Sequence, residues 1–433
     1  MGKLKKITTL MAICLICLGL TGCYDAIEID EEVYTLAIGV DKGVNNVIRV
    51  TFQYATYKED SGGGMGGGDE ESGEVSGTIV STVEAASLLE AINIMNSAVN
   101  RQVSLMHAKM LVLSEDFARE GVGKYIEPLT RFREVRELMR IVVCKGKAQD
   151  FIKENKALIG SNPSKALELM FEQSKNSGYF PDVIFADFYV DLLTPYGQPV
   201  AAYAGVNDFK QLDEGSENEE PPLKTEADIE PGDIPRTGGA KREIFGLVVF
   251  DGDRMVGTLS QYETRFFLMG IGEFQRGFFT FIDENEPELI YVIEVQLGRK
   301  PSISARMENE VPVIGLKLKL DIDIISIQSR RHYENLDNID EFESKLQAYF
   351  EQGIKDTIKK TQEEYNADIF HFGKKVAGNF KTIQELEDYN WIGHYQEAEI
   401  NVSVSVDARR SGFIYGATPI RSTESKKGVE ADQ

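Results

Sequence analysis

The chain is short of cysteine, histidine, basic residues and long apolar runs, and each shortage excludes something. Four cysteines occur in 433 residues. Cys14, Cys17 and Cys23 crowd near the N-terminus, and Cys144 stands alone behind Ile141-Val142-Val143. A disulfide scaffold in the body of the chain is therefore excluded, and Cys144 reads as a small buried hydrophobe instead of a reactive thiol. The four histidines (His107, His332, His371 and His394) are scattered, without a His-Glu-x-x-His spacing or cysteine partners, so no metal site is expected. No Gly-x-Ser-x-Gly elbow is present, which removes the usual setting for serine hydrolysis. A glycosidase needs two carboxylates roughly 5–10 Å apart. The 70 acidic residues nominate no such pair and read as spread surface charge, so no enzyme is expected. With 47 basic residues against those 70, the formal charge is −23, which argues against nucleic acid and against general adhesion to anionic headgroups.

The N-terminus is patterned for export. Lys3, Lys5 and Lys6 form a positive start, and Ile7 to Leu20 follow as an uncharged apolar run. That run is too short for a spanning helix, which needs about 20 apolar residues, but has the length of a signal-peptide core. Leu20-Thr21-Gly22-Cys23 then looks like the lipobox of bacterial lipoproteins, with Cys23 as the diacylglyceryl attachment site and residues 1–22 as the signal peptide. Cleavage removes three lysines and no acid, taking the formal charge from −23 to −26. Two or more acyl chains hold a protein on a membrane far better than one, each buried methylene contributing about 0.8 kcal/mol.

Beyond Cys23 the pattern predicts an α+β, multi-domain protein of mixed α/β character. An N-terminal domain over 23–150 contains strands at Val33–Val40 and Val47–Tyr57, joined by a turn at 41–46. A flexible glycine-rich loop spans 61–77, lacking the Lys-Ser/Thr and strand-to-helix setting of a phosphate cradle. Helices are expected over Thr82–Val99, Glu115–Glu120 and Tyr125–Glu137, and strands over His107–Leu113 and Leu138–Cys144. A middle domain over 151–280 carries a strand pair around Pro195-Tyr196-Gly197. It then holds an acidic, Pro- and Gly-rich loop at 207–241, too polar to repay its ordering and expected to be disordered. Strands resume at Glu243–Phe250 and Met255–Leu259 across Asp251-Gly252-Asp253.

The domain over 281–412 shows the clearest periodicity. Leu289–Leu297, Gly315–Ile327 and Glu399–Asp407 alternate, as in an antiparallel sheet with one wet face. A long helix over Glu341–Tyr365 carries an apolar stripe of Phe342, Leu346, Tyr349, Phe350, Ile354 and Ile358, and Asp340 with Glu343 makes a capping pair. Residues 413–433 form a tail.

Several blocks together resemble the Ger(x)C family of spore germination lipoproteins, the C subunits of nutrient germinant receptors. They are Gly22-Cys23-Tyr24-Asp25, Glu28-Ile29 and Leu36-Ala37-Ile38-Gly39-Val40-Asp41; Arg101, His107, Arg131, Arg133, Glu134 and Arg136; and Gly246 to Phe250, Val256 to Leu259 and Glu263-Thr264-Arg265. The most telling is Asp368-Ile369-Phe370-His371-Phe372-Gly373, followed by Trp391 and the strand from Ile400 to Val406. The resemblance is weakest from Phe151 to Lys241, and Tyr24 stands where the family usually has tryptophan. It implies a three-domain lipoprotein on the outer face of the inner spore membrane, working with integral membrane A- and B-type subunits, one of them similar to amino-acid permeases. It implies no catalytic residues and no cofactor beyond the lipid. The alternative is a lipid-anchored solute-binding or cell-wall-directed protein.

Three features invite a closer reading. Six basic residues lie between Arg131 and Lys147, and Arg133, Arg136 and Arg140 would share a face if the helix ran that far, suggesting contact with headgroups or a partner subunit. The other reading is an ordinary solvated face with Glu–Arg pairs. His371, between Phe370 and Phe372, is either a switch near neutral pH or part of an aromatic cap on the helix–sheet core, and Trp391 reads as core.

Overall fold

The computed structural model describes residue 2, residues 5–11, and residues 28–410 other than 57–76, 160–161, 211–222, 226–227 and 330–335. Cys23, the lipobox residues Leu20, Thr21 and Gly22, nearly all of the glycine-rich loop, His332 and the tail lie outside the described residues. Among the described residues no helix is long and apolar enough to cross a membrane.

The first sheet is built around short apolar runs. Strands β1 (Glu32–Lys42), β5 (Met110–Ser114), β6 (Arg140–Cys144) and β7 (Val200–Val206) lie parallel, with β4 (Gln102–Ser104) beside the start of β1. Each reads as a nearly unbroken apolar stretch, as strands covered on both faces must. β2 (Ile48–Ala55) and β3 (Thr78–Ala85) extend one flank antiparallel, and β8 (Arg242–Asp251) and β9 (Arg254–Leu259) extend the other. The helices are α1 (Leu88–Ala98), α2 (Glu115–Glu120), α3 (Gly123–Leu129), α4 (Ala148–Glu154), α5 (Pro163–Glu172) and α6 (Phe185–Leu193). α1, α2, α3 and α6 bury Ile92, Phe117, Ile126 and Phe188 against one face. α4 and α5 bury Phe151, Ile152, Leu167 and Phe171 against the other, beside Cys144.

The second sheet runs β10 (Arg276–Ile282), β11 (Ile290–Glu308), β12 (Val311–Ile327) and β13 (Glu399–Arg410). Leu316, Leu318, Leu320, Ile322 and Ile324 turn inward beneath α7 (Gln261–Ile271) and α8 (Leu336–Lys360). α7 starts in a capping box, Ser260 with Glu263, and stops at Gly272 in the left-handed region (φ 86°). The predicted stripe of α8 is buried as expected, Tyr349 only partly. Each such apolar side chain contributes roughly 1.5–3 kcal/mol by leaving water. Val200, Leu247, Val249 and Leu259 of the first sheet belong to this same core, so the two sheets share apolar packing.

The α+β class and the alternating strands are found, and several local readings are revised. Thr82–Ala85 is the end of β3, paired to Ile48–Thr51, and the helix begins only at Leu88, capped by Ser87. The Phe185–Leu193 stretch is helix, because Phe185, Phe188, Tyr189 and Leu192 recur at helical spacing against the first core. The third helix stops at Leu129, with Pro128 in its last turn, and 130–139 continues as successive turns. β13 pairs parallel to β12, which the intervening helices make possible. Helix α8 has already begun at Leu336, so Glu343 does not cap it; its Oε1 accepts from Ala408 N (2.6 Å) on the outer edge of β13. The division expected at 150/151 falls inside the first sheet, since β7 returns parallel beside β6 after the α4–α6 excursion. The described part of the acidic loop is ordered against β8. There buried Glu243 accepts from Asn207 Nδ2 (2.7 Å), Gly232 N (2.7 Å) and Arg236 Nε (2.5 Å). Lys145 reaches the same loop through Glu230 (2.6 Å) and Asp233 (2.7 Å).

Candidate functional site at the seam between the two sheets

The segment after α8 makes a sharp descent into the seam. Asn366 takes a left-handed conformation (φ 47°) and sends Ala367–Gly373 back toward the first sheet. Asp368 is fully buried and its carboxylate is saturated by donors. Oδ1 accepts from Phe372 N (3.1 Å), and Oδ2 accepts from Gly373 N (2.7 Å) and from Trp391 Nε1 (2.8 Å). Burial raises its pKa, and the three donors oppose that shift. The Asp368 carbonyl accepts from Gln198 N (3.0 Å). Gln198 in turn reaches Asp251 (3.3 Å) and Gly252 N (2.6 Å) at the β8–β9 turn. Gln198, just before β7, thereby ties the Asp368 loop to the β8–β9 turn of the first sheet.

Trp391 lies fully buried behind this carboxylate, 5.7 Å from the Tyr395 ring, and Tyr395 hydroxyl meets Thr361 Oγ1 at 2.8 Å. Gly373 permits the closeness: a Cβ there would come within 2.3 Å of the indole and 2.6 Å of Tyr196 O. Phe370 packs edge-on against Phe267 (5.3 Å) and stacks on Phe372.

His371 occupies the left-handed region (φ 56°), at a cost of about 1 kcal/mol for a residue with a Cβ. Its ring lies over Gly197, and Nε2 is 3.4 Å from Asp191 Oδ2 on α6. Burial pulls the His371 pKa down, but Asp191 and then Asp368 outweigh it, leaving the pKa raised. Asp187 and Glu273 also face this group, and burial raises both of their pKa values.

A second pin lies on the other side of α7. Arg265 is almost wholly buried, donating to Ser177 O (2.8 Å) and Phe278 O (2.8 Å), with its guanidinium over the rings of Tyr179 (4.1 Å) and Phe279 (4.4 Å). Carbonyls and ring faces here replace a carboxylate partner. Desolvation lowers its pKa.

The basic candidates are separated. Arg133 and Arg136 are exposed on the turns after α3, whereas Arg140 begins β6, pairs with Asp182 (3.0 Å) and covers the Phe171 ring. They share no helical face, because the helix does not reach them. His107 packs on Tyr34 (4.6 Å) and His394 on Tyr389 (4.4 Å). Among the described residues no group of three His, Cys, Asp or Glu side chains could hold a metal ion. A cleft of about 350 Å³ between α7 and α8 is lined by Tyr262, Phe266, Tyr349, Asp228 and Asp356. Its serine, Ser260, is the helix cap, and its Glu263 is held by Lys360 (2.9 Å). The sequence does not mark Asp191 and Gln198 as seam residues, because their surroundings read as strands. Gly197 and the glycine ending the Asp368–Gly373 block were the available signals.

The fold and seam define a two-sheet α+β protein in which a buried polar cluster joins the halves. Comparison with known proteins gives the family. Residues 25–206 match the spore germination protein N-terminal domain, and residues 245–412 match the spore germination B3/GerAC-like C-terminal domain. The chain is 23% identical to putative spore germination protein YfkR of Bacillus subtilis (strain 168), over 93% of this chain and 96% of that protein. It is 24% identical to spore germination protein B3 of the same organism, over 88% and 90% of the two chains. A crystal structure of the GerBC protein aligns with 86% of this chain and 96% of its own, at 15% identity and a TM-score of 0.49. The chain belongs to the Ger(x)C family of spore germination proteins.

Proposed function

We propose that this chain is the C-type subunit of a nutrient germinant receptor, held on the outer face of the inner spore membrane by diacylglyceryl lipid on Cys23. It assembles with integral membrane A- and B-type subunits and acts by completing that complex, without making or breaking bonds. The observation that carries the reading is the ordered pair of spore germination family matches over 25–206 and 245–412. The lipobox at Leu20–Cys23 supports the anchor. The seam supports a mechanical role, since its polar groups are engaged in holding the two sheets together. The test is a tagged pull-down from detergent-solubilised spore membranes, with mass spectrometry of partners and of the mature N-terminus. Recovery of a permease-like subunit with acylated Cys23 is the expected result. Recovery of an acylated chain alone, from spores that germinate normally without it, would overturn the receptor role while keeping the anchor.

A further inference from the structure

The start of β1 gathers an unusual end of the first sheet. Glu32 pairs with Gln102 and Tyr34 with Ser104; Leu105 N donates to Glu134 Oε2 (2.9 Å). Lys109 N donates to Leu36 O and Arg140 N to Lys109 O, so the segments before β5 and β6 arrive side by side at this end. Three large apolar side chains stand out from it: Ile29 (72% exposed), Met106 (41%) and Leu138 (66%). Arg101, Arg133 and Arg136 are exposed among them. Asp30, Glu31 and Glu137 are exposed there too, so the patch is apolar and mixed in charge, not basic.

Chain length says what covers it. Glu28 lies five residues after Cys23, which allows at most about 18 Å of extended backbone between them. The 11 residues of β1 carry the other end of the sheet, with exposed Val44 in the following turn, roughly 35 Å farther away. A lipid on Cys23 therefore keeps the Ile29 end beside the bilayer at high effective concentration. We infer that this end of the first sheet rests on the bilayer surface. Ile29, Met106 and Leu138 enter the interfacial layer, and Arg101, Arg133 and Arg136 lay their stems along it with their guanidinium groups at headgroup level. This inference rests on the proposed anchor at Cys23.

The test uses the full acylated chain in vesicles of phosphatidylglycerol and phosphatidylcholine containing doxyl-labelled lipid. Met106→Cys, Leu138→Cys and Val44→Cys each receive a fluorophore, Cys144 being buried. The expected result is loss of fluorescence at 106 and 138 and none at 44. Equal loss at 44, or no loss at any site in a chain that floats with the vesicles, would overturn the inference and leave the anchor standing. A chain without diacylglyceryl mass on Cys23 that does not float overturns the anchor itself, and the inference with it. No loss to doxyl lipid, with shielding of 106 and 138 from aqueous iodide once integral subunits are added, would replace the bilayer with a protein partner.

Discussion

The first sheet is covered on both faces and the second on one, and this difference governs how each is held. In the first, parallel strands such as Ile141–Cys144 lie between two helical layers, and the few polar side chains buried there are paired locally, as Gln53 is with Asn155 (2.6 Å). In the second, apolar residues alternate with Lys317, Lys319 and Asp321, and α7, α8 and the short helical segments between α8 and β13 cover the apolar face. β13 is the edge strand of this open sheet, and carboxylates from α8 occupy its free donors: Glu343 accepts from Ala408 N, and Glu351 from Val404 N (3.5 Å). Occupied edge donors discourage pairing with another chain.

The comparison breaks most sharply in the cores. Phe350→Ala should cost about 3–5 kcal/mol, as should Phe188→Ala in the first sheet. Trp391 is the single tryptophan, so its emission reports on the second module. Because Val200 and Leu247 share the second core, both substitutions should move the Trp391 transition in denaturant. A Phe188→Ala chain whose far-UV transition shifts while Trp391 emission does not would show the modules unfold separately.

At the seam, Asp368→Asn replaces an acceptor saturated by three donors with a group that must turn an amide toward one of them. A loss of about 1–3 kcal/mol is expected, again read from Trp391 emission. An unchanged midpoint would mean that Asp368 contributes no net stability to the seam. His371 gives a smaller, pH-dependent effect. Its folded pKa is raised, so its contact with Asp191 stabilises fully below the ordinary histidine range and is lost as pH rises through the raised value. The pair is half-exposed and worth under about 1 kcal/mol. His371→Asn, which tolerates the left-handed backbone, should flatten the stability profile from the ordinary histidine range upward; an identical slope in both proteins would remove His371 as its source.

The smallest effect belongs to the β1–β2 hairpin. Glu84 accepts from Val44, Asn45 and Asn46 N–H groups and from Arg49. The Arg49 hydrogen bond, followed by the backbone donors, lowers its pKa to about 2. Its contribution is present above the ordinary carboxyl range and fades as pH falls toward 2. Glu84→Gln should raise the midpoint of acid unfolding slightly, and an unmoved midpoint would count against it.

The second sheet was the more legible in sequence because a one-sided sheet writes its period into the chain. Leu316 to Ile324 could be assigned a face before any coordinates. The first sheet was harder for the same reason in reverse: Met110–Leu113 has no alternation, so existence was readable but facing was not. The Phe185–Leu193 helix is not legible in the sequence because its aromatic and branched residues favour strands, and only burial against the first core selects the helical period. The seam was half legible. Asp368, His371 and Trp391 stood in a recognisable block, but Asp191 and Gln198 belong to a distant stretch that nothing local ties to it. The ordering of 228–241 depended on Glu243, one acid among many until its three donors are seen.

The parallel register of β12 and β13 has a consequence for the order of folding. The first sheet has all its strands once the chain is complete through Leu259. The second cannot close until Glu399–Arg410 arrives, because Leu316 waits for Val402 and Leu318 for Val404. Long-separation pairings of this kind form late. A chain emerging N-terminus first therefore passes through a state in which β12 is an open edge beside a finished first sheet. Synthesis halted before Glu399 would leave that strand edge available for pairing with another nascent chain.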